Sequence, residues 1–237
     1  MKSIRILPVS FGWLNAAQFT AALNDNLWKL LVILYIADVL GASDRPAVVA
    51  FAGALFVAPY LLFSHAAGVL ADRFSKQKMI LVTRILHVGV LLAGCAAVWL
   101  KNEWMLYATI SLLSTVSALF APSKYGIIPE LVGEEHLSKA NSALVGLTYI
   151  AIILGIFMPS ALLISVFKDN YIWLALFSVA AGVFGIFAAG KIEPTQAAGT
   201  DKKLKVFFLG DIVRTLLEIR KDKDLYLTVL GSAYFLL

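Results

Sequence analysis

Five polar side chains cluster near the start of the chain: Asn15, Gln18, Asp25, Asn26 and Lys29. On a helix turning about 100° per residue they fall near 0°, −60°, −80°, +20° and −40°, a single arc of roughly 100°. The rest of the segment is mostly apolar. Asp25 and Lys29 stand four residues apart, acid first, the order in which a helical ion pair is favourable. Asn24 points almost opposite the stripe, where hydrogen bonding to another helix is its expected role. On a helix within a membrane such a stripe does not face lipid, because an ionised group at depth costs several kcal/mol. It is expected to line a wet passage for a substrate. The alternative is a polar knot that locks helices together.

The elements that must position this stripe are also apolar. Of 237 residues, 60% are hydrophobic and 15% charged, against about half and about a quarter in an ordinary globular domain. A helix needs about 20 apolar residues to cross a bilayer core. Six segments qualify: Phe11 to Ile36, Pro46 to Leu70, Met79 to Trp99, Trp104 to Ile128, Asn141 to Phe167, and Tyr171 to Gly190. The runs are continuous, which favours helices over the alternating strands of a membrane barrel. The expected class is an all-α membrane protein. Its layout is a six-helix bundle over 1–190, a linker over 191–224, and a truncated seventh helix over 225–237. In the linker, Leu204, Phe208, Ile212, Leu216 and Ile219 share one helical face, opposite Asp211, Arg214, Glu218 and Lys221. That pattern suits a helix lying along cytoplasmic headgroups. The seventh run ends too soon to span, so the chain is expected to be a fragment.

Charge sets the expected orientation. With a cytoplasmic N-terminus, sixteen of the 20 Lys and Arg residues lie inside, Arg84 among them. Arg45, Lys101 and Lys168 lie outside, and Lys29 is within the first helix. This is the positive-inside pattern. Trp99, Trp104, Tyr171 and Trp173 flank the outer connections as interfacial anchors. The net charge of +5 reports topology, not nucleic acid, whose readers carry basic residues on a solvated face. The opening residues Met1, Lys2 and Arg5 faintly suggest a secretory signal, but the apolar run is too long and lacks a cleavage site. The single cysteine, Cys95, lies inside an apolar run and is expected to be a small buried side chain. No metal-ligand spacing, nucleotide loop or nucleophile elbow occurs, so neither cofactor nor enzymatic chemistry is expected.

Between helices two and three lies Gly68-Val69-Leu70-Ala71-Asp72-Arg73-Phe74-Ser75-Lys76. Gly68 is expected to let a helix end approach its neighbour, and Asp72 to cap or salt-bridge an adjacent helix end. Lys124, between Pro122 and Gly126, sits at a broken helix end. There its ammonium is suited to a phosphate as a point charge, or to snorkelling towards the interface. The pairs Gly182 with Gly185 and Gly146 with Gly155 read as close packing, and Pro159 as a kink. His65 and His87 read first as hydrogen-bonded packing histidines, with proton coupling as the alternative.

The Gly68 segment resembles the signature loop of the major facilitator superfamily. It matches at Gly68, Leu70, Ala71, Asp72, Arg73 and Lys76, and departs at Ser75, where the family has glycine. The resemblance implies that Gly68, Asp72, Arg73 and Lys76 act as a conformational latch. Ala22-Leu23-Asn24-Asp25-Asn26-Leu27-Trp28-Lys29 is similar to the first helix of the bacterial lysophospholipid transporters. Ala121-Pro122-Ser123-Lys124-Tyr125-Gly126-Ile127-Ile128-Pro129-Glu130, continuing to Lys139-Ala140-Asn141, resembles the same family. What this implies is a multi-pass protein of the bacterial inner membrane that moves lysophospholipid, or another small amphipathic substrate, by alternating access. Asn15, Gln18, Asp25, Asn26, Lys29 and Lys124 would then be the substrate-binding set. A C-terminal six-helix half would be the missing partner. The rival readings are a small hydrophilic or drug-like cargo, and the membrane module of a fused lipid-remodelling acyltransferase.

Overall fold

The computed structural model describes residues 7–196 and 226–227. The expected amphipathic linker helix from Leu204 to Lys221 lies outside the described residues, as does nearly all of the expected seventh span. So do Lys2 and Arg5.

The described chain is helical throughout. Helix α1 covers Val9–Asp38, α2 Arg45–Arg73, α3 Lys76–Trp99 and α4 Glu103–Gly126. The single-turn α5 (Ile128–Val132) and a 3₁₀ turn (Glu134–His136) lead into α6 (Leu137–Leu162). A π-helical turn over Leu163–Phe167 ends α6, and α7 covers Tyr171–Gly190. The six long helices fall on the six expected spans. Short polar residues start four of them, each accepting from an early backbone N–H: Asp44 from Ala47, Ser75 from Lys78, Asn102 from Met105 and Asn170 from Ile172. Gly133, at φ 72°, makes the turn that closes α5. Helices α4 and α6 continue through Pro122 and Pro159.

Helix α1 occupies the centre and packs against α4, α6 and α7. Helix α2 lies on the outside, mainly against α4. Only 17% of the most apolar stretch of α2 is buried, against 56% for the α4 span. Five of the long helices are long and apolar enough to cross a membrane, and α1 is not among them. Its polar residues lower its hydropathy, and its neighbours bury them instead. The outward faces carry Leu61 and Leu62 on α2, Ile153 and Phe157 on α6, and Phe184 and Phe187 on α7, all exposed. In water such a surface would be an aggregation hazard. Against lipid tails, which are as apolar as leucine, it is the ordinary outer surface.

Side chains at the two ends refine the sequence reading. Trp99, Trp104 and Trp173 stand exposed at one end, as interfacial anchors do. Tyr171 does not join them. It is buried, and its hydroxyl donates to Asp38 Oδ2 at 3.1 Å, while Arg45 pairs with Asp38 Oδ1 at 3.1 Å. A phenol with a carboxylate within reach is held inward by that bond. Gly155, Gly182 and Gly185 are sites of close approach: a Cβ there would meet Leu23, Val88 and Thr20 respectively. Gly68 and Gly146 are not, since a Cβ at either would meet nothing within 4 Å. The reason at Gly68 is that α2 lies on α4 and barely touches α3.

Alanine at Gly155 would place its Cβ 2.5 Å from the Leu23 carbonyl oxygen, a backbone atom that cannot rotate away. Gly155→Ala is expected to destabilise the bundle by about 1–3 kcal/mol through overpacking. Gly146→Ala, on an exposed helical surface, is expected to be neutral or to stabilise by up to about 1 kcal/mol. Unfolding of the two variants in the same detergent measures the contrast.

Candidate functional site

Asp25 stands near the middle of α1, and only 7% of its surface is exposed. Its Oδ1 lies 3.1 Å from His87 Nε2 on α3, and its Oδ2 accepts a 2.6 Å hydrogen bond from the Ser117 hydroxyl on α4. One carboxylate thus joins three helices. Buried charges persist only when paired and hydrogen-bonded, and both oxygens meet that condition here. His87 is 1% exposed. The hydrogen-bonded reading of His87 holds, and its partner is the central acid. Asp25 and Lys29 do not form an ion pair among the described residues. Asp25 turns to α3 and α4, whereas the Lys29 ammonium lies over the Phe56 ring of α2, 4.5 Å from its centroid.

Beside Asp25 is a cavity of about 230 Å³. Gln18, Asp25 and Asn26 from α1, Tyr60 from α2, Ser117 and Lys124 from α4, and Thr148 from α6 supply its polar lining. Phe56, Phe120 and Ile152 supply apolar wall. Asn26 Nδ2 donates to the Ala22 carbonyl at 2.9 Å. Gln18 is tied to α6: its Nε2 donates to the Leu144 carbonyl at 3.3 Å, and its Oε1 accepts from Thr148 at 2.8 Å. Lys124, on the last turn of α4, is half-buried, with its ammonium 4.7 Å from the Tyr125 ring centroid and 5.9 Å from that of Phe120.

The stripe therefore divides. Gln18, Asp25 and Asn26 meet Lys124 around one cavity. Lys29 does not line that cavity, and its ammonium lies over Phe56, which does. Asn15 lines a separate, mostly apolar groove with Phe11, Phe19, Leu147 and Phe184. Its Nδ2 donates to the Phe11 carbonyl at 3.1 Å. Asn24 takes the helix-joining role expected of it, donating to the Ser178 carbonyl of α7 at 2.9 Å. A helical wheel resolves direction about one axis. It does not resolve the neighbour met at each height.

Four site residues escaped the sequence reading: Ser117, Tyr60, Thr148 and, as the partner of Asp25, His87. The hydroxyls carry no signal, because serine and threonine are ordinary in membrane helices. His87 carried one: a titratable ring in an apolar run calls for a polar partner, and Asp25 is the acid at matching depth.

At the end where α2 meets α3, Lys76 pairs with Glu130 of α5. A Cβ at Gly126 would lie 3.1 Å from the Lys76 stem, so the glycine leaves room for that lysine. Thr195, beyond α7, lies 3.4 Å from Ser75 Oγ and accepts from the Gln77 backbone N–H at 3.3 Å. Asp72 is half-buried and Arg73 exposed.

A lone acid, amides and a lysine thus gather around one cavity of the helical bundle. The Major Facilitator Superfamily profile matches residues 14–237, and the chain belongs to that superfamily. Among curated relatives, the lysophospholipid transporter LplT of Salmonella schwarzengrund (strain CVM19633) is 32% identical over 185 residues, covering 77% of this chain and 42% of the relative. The protein of the same name from Salmonella newport (strain SL254) is 31% identical over 185 residues, with the same coverage. The chain thus spans less than half the length of the curated relatives it matches.

The Asp25–His87 contact should behave as a coupled pair. Asp25→Ala and His87→Ala are each expected to lower stability by about 3 kcal/mol, since each leaves a buried polar partner unmet. The double variant should lose less than the sum, by about 1–3 kcal/mol. A double-mutant cycle by chemical unfolding in mixed micelles reads this directly, and strict additivity would refute the contact.

Proposed function

We propose that this bundle is one half of a secondary transporter that moves lysophospholipid across the bacterial inner membrane by alternating access. It would rock against a second six-helix bundle about a site near the membrane midplane. The carrying observation is the polar cavity around Asp25, enclosed in a bundle whose outer face is apolar. A ligand with one acyl chain and a zwitterionic head matches its lining: Phe56, Phe120 and Ile152 on the apolar side, Asp25, Asn26 and Lys124 on the polar side. The cavity, at about 230 Å³, is smaller than the roughly 300–1,000 Å³ that encloses a drug-sized ligand. One wall of a larger site is what a half-transporter would supply. The relatives, lysophospholipid transporters by name, support the same cargo.

Asp25 would attract the cationic part of the head and Lys124 its phosphate. Gln18 would hold α6 in register, and Asn26 would offer its amide to the head. Lys29 would act through the Phe56 wall, and Asn15 would border the path at the adjoining groove. The N-terminus is proposed to be cytoplasmic, in line with the basic residues that gather where α2 meets α3 and where α4 and α7 end. In this orientation Gly68, Asp72, Arg73 and Lys76 form the cytoplasmic latch, with Glu130 the partner of Lys76.

Full-length transporter in proteoliposomes should import labelled lysophosphatidylethanolamine. Asp25→Asn is expected to reduce import at least about tenfold, the effect of losing one charge-assisted contact of about 1.5 kcal/mol or more, with normal folding. Wild-type rates for Asp25→Asn would remove the acid from the mechanism. Preference for a small hydrophilic solute in a competition panel would move the cargo to that class. For the latch, Lys76→Glu and Glu130→Lys should each slow import, and the combined swap should restore most of it. A swap as slow as the single variants would deny the pair a role in transport.

A further inference from the structure

Arg84 has no part in the reading above, yet it is the most anomalous charge in the bundle. It is the ninth residue of α3, about 12 Å along the axis from the helix start. It is 2% exposed. Its Nε and Nη2 are buried without a hydrogen-bond partner, and no ion pair among the described residues includes it. Both oxygens of Asp25 are already committed to His87 and Ser117. Arg84's guanidinium lies over the Phe120 ring, 4.4 Å from the centroid. A cation–π contact replaces only part of the hydration a buried guanidinium loses. A buried cation with idle donors is a site short of an anion.

Two further observations show where the anion would enter. Lys124's ammonium lies 5.9 Å from the centroid of the same ring, so the two cationic groups are no more than about 10 Å apart. Phe120 itself lines the cavity, as does Lys124. Among the described residues that line this cavity, Asp25 is the one carboxylate and Lys124 the one cation, with Arg84 behind the Phe120 ring.

We propose that Arg84 and Lys124 form a phosphate-binding subsite, with Phe120 as the movable ring between them. A change of Phe120 rotamer exposes the guanidinium to the cavity. The planar fork then takes two phosphate oxygens, while Lys124 supplies a point charge. The ligand class is a phosphate mono- or diester, as on a lipid headgroup. This rests on reading the cavity as the substrate site, and it makes Arg84 the residue that separates phosphate-bearing from uncharged cargo.

The test uses full-length protein in nanodiscs, with thermal unfolding and direct binding as readouts. Glycerol 3-phosphate should raise the wild-type melting temperature, and glycerol should not. Without ligand, Arg84→Gln should melt no lower than wild type, because an unpaired buried charge has been removed. The same variant should bind glycerol 3-phosphate at least about tenfold more weakly, and Arg84→Lys should retain part of the affinity. A lower melting temperature for ligand-free Arg84→Gln marks a structural charge and overturns the proposal. So does unchanged phosphate affinity, or a wild type that ignores phosphate. Lysolipids separate this from the cargo assignment. Binding of glycerol 3-phosphate without lysophosphatidylethanolamine keeps the subsite and refutes the lipid cargo. Equal binding of lysophosphatidylethanolamine and monoacylglycerol, untouched by Arg84→Gln, keeps a lipid cargo and refutes the subsite.

Discussion

A carboxylate at the centre of an apolar bundle has to be satisfied by the protein itself, and Asp25 dictates much of what surrounds it. Its two oxygens require donors from outside α1, and these come from His87 on α3 and Ser117 on α4. The requirement fixes the rotation of α1 and holds α3 and α4 beside it. The remaining polar groups of α1 follow. Asn24 reaches α7, Gln18 reaches α6, and the indole N–H of Trp28 donates to Thr109 on α4 at 2.8 Å. Helix α1 is thereby the hub of the bundle, and it is the long helix that fails the apolarity required for an isolated span. In lipid the hydrophobic effect does not drive helices together, so association rests on close packing and interhelical hydrogen bonds. The polar groups of α1 supply the second, and Gly155 and Gly182 permit the first.

The polar groups of α1 differ in what they touch: some bond to other helices and some line the cavity. Asn24 uses its Nδ2 to join α1 to α7. Gln18 bonds to α6 while lining the cavity. Lys124 meets no carboxylate among the described ion pairs and offers its charge to the cavity. Of the two readings of the polar stripe, the knot is seen in the bonds of Asn24 and Gln18 to α7 and α6, and the passage is the proposal that the cavity supports.

The helices were legible in the sequence because length and apolarity define a membrane span almost alone. The six expected spans match six helices, and the departures lie at their ends, where α6 starts at Leu137 instead of Asn141. The site was legible only in part. The acid, its flanking amides and Lys124 stood out because polar groups are rare in such runs. Their partners did not, because Ser117 and Thr148 look like any small hydroxyl of a membrane helix. The Asp25–Lys29 spacing suggested an ion pair that the fold replaces with His87, since a tertiary partner of good geometry outcompetes a flexible lysine. Arg84 was hidden in a different way. Counted among the basic residues that orient the chain, it proves to be buried well inside α3. Gly68, within the signature loop, suggested a close approach that the peripheral position of α2 makes unnecessary.

Everything in the functional account requires that the cavity beside Asp25 be wet and reachable from water. Single cysteines in a Cys95→Ala background measure this, using a small membrane-impermeant thiosulfonate reagent. Cysteines at Asn26, Lys124 and Thr148 should label readily and be protected by lysophosphatidylethanolamine, while one at Leu61, on the exposed apolar face of α2, should not label. Cavity positions as unreactive as Leu61, or labelling that the lysolipid leaves unchanged, would mean that the polar groups of α1 hold a sealed bundle together and line no passage.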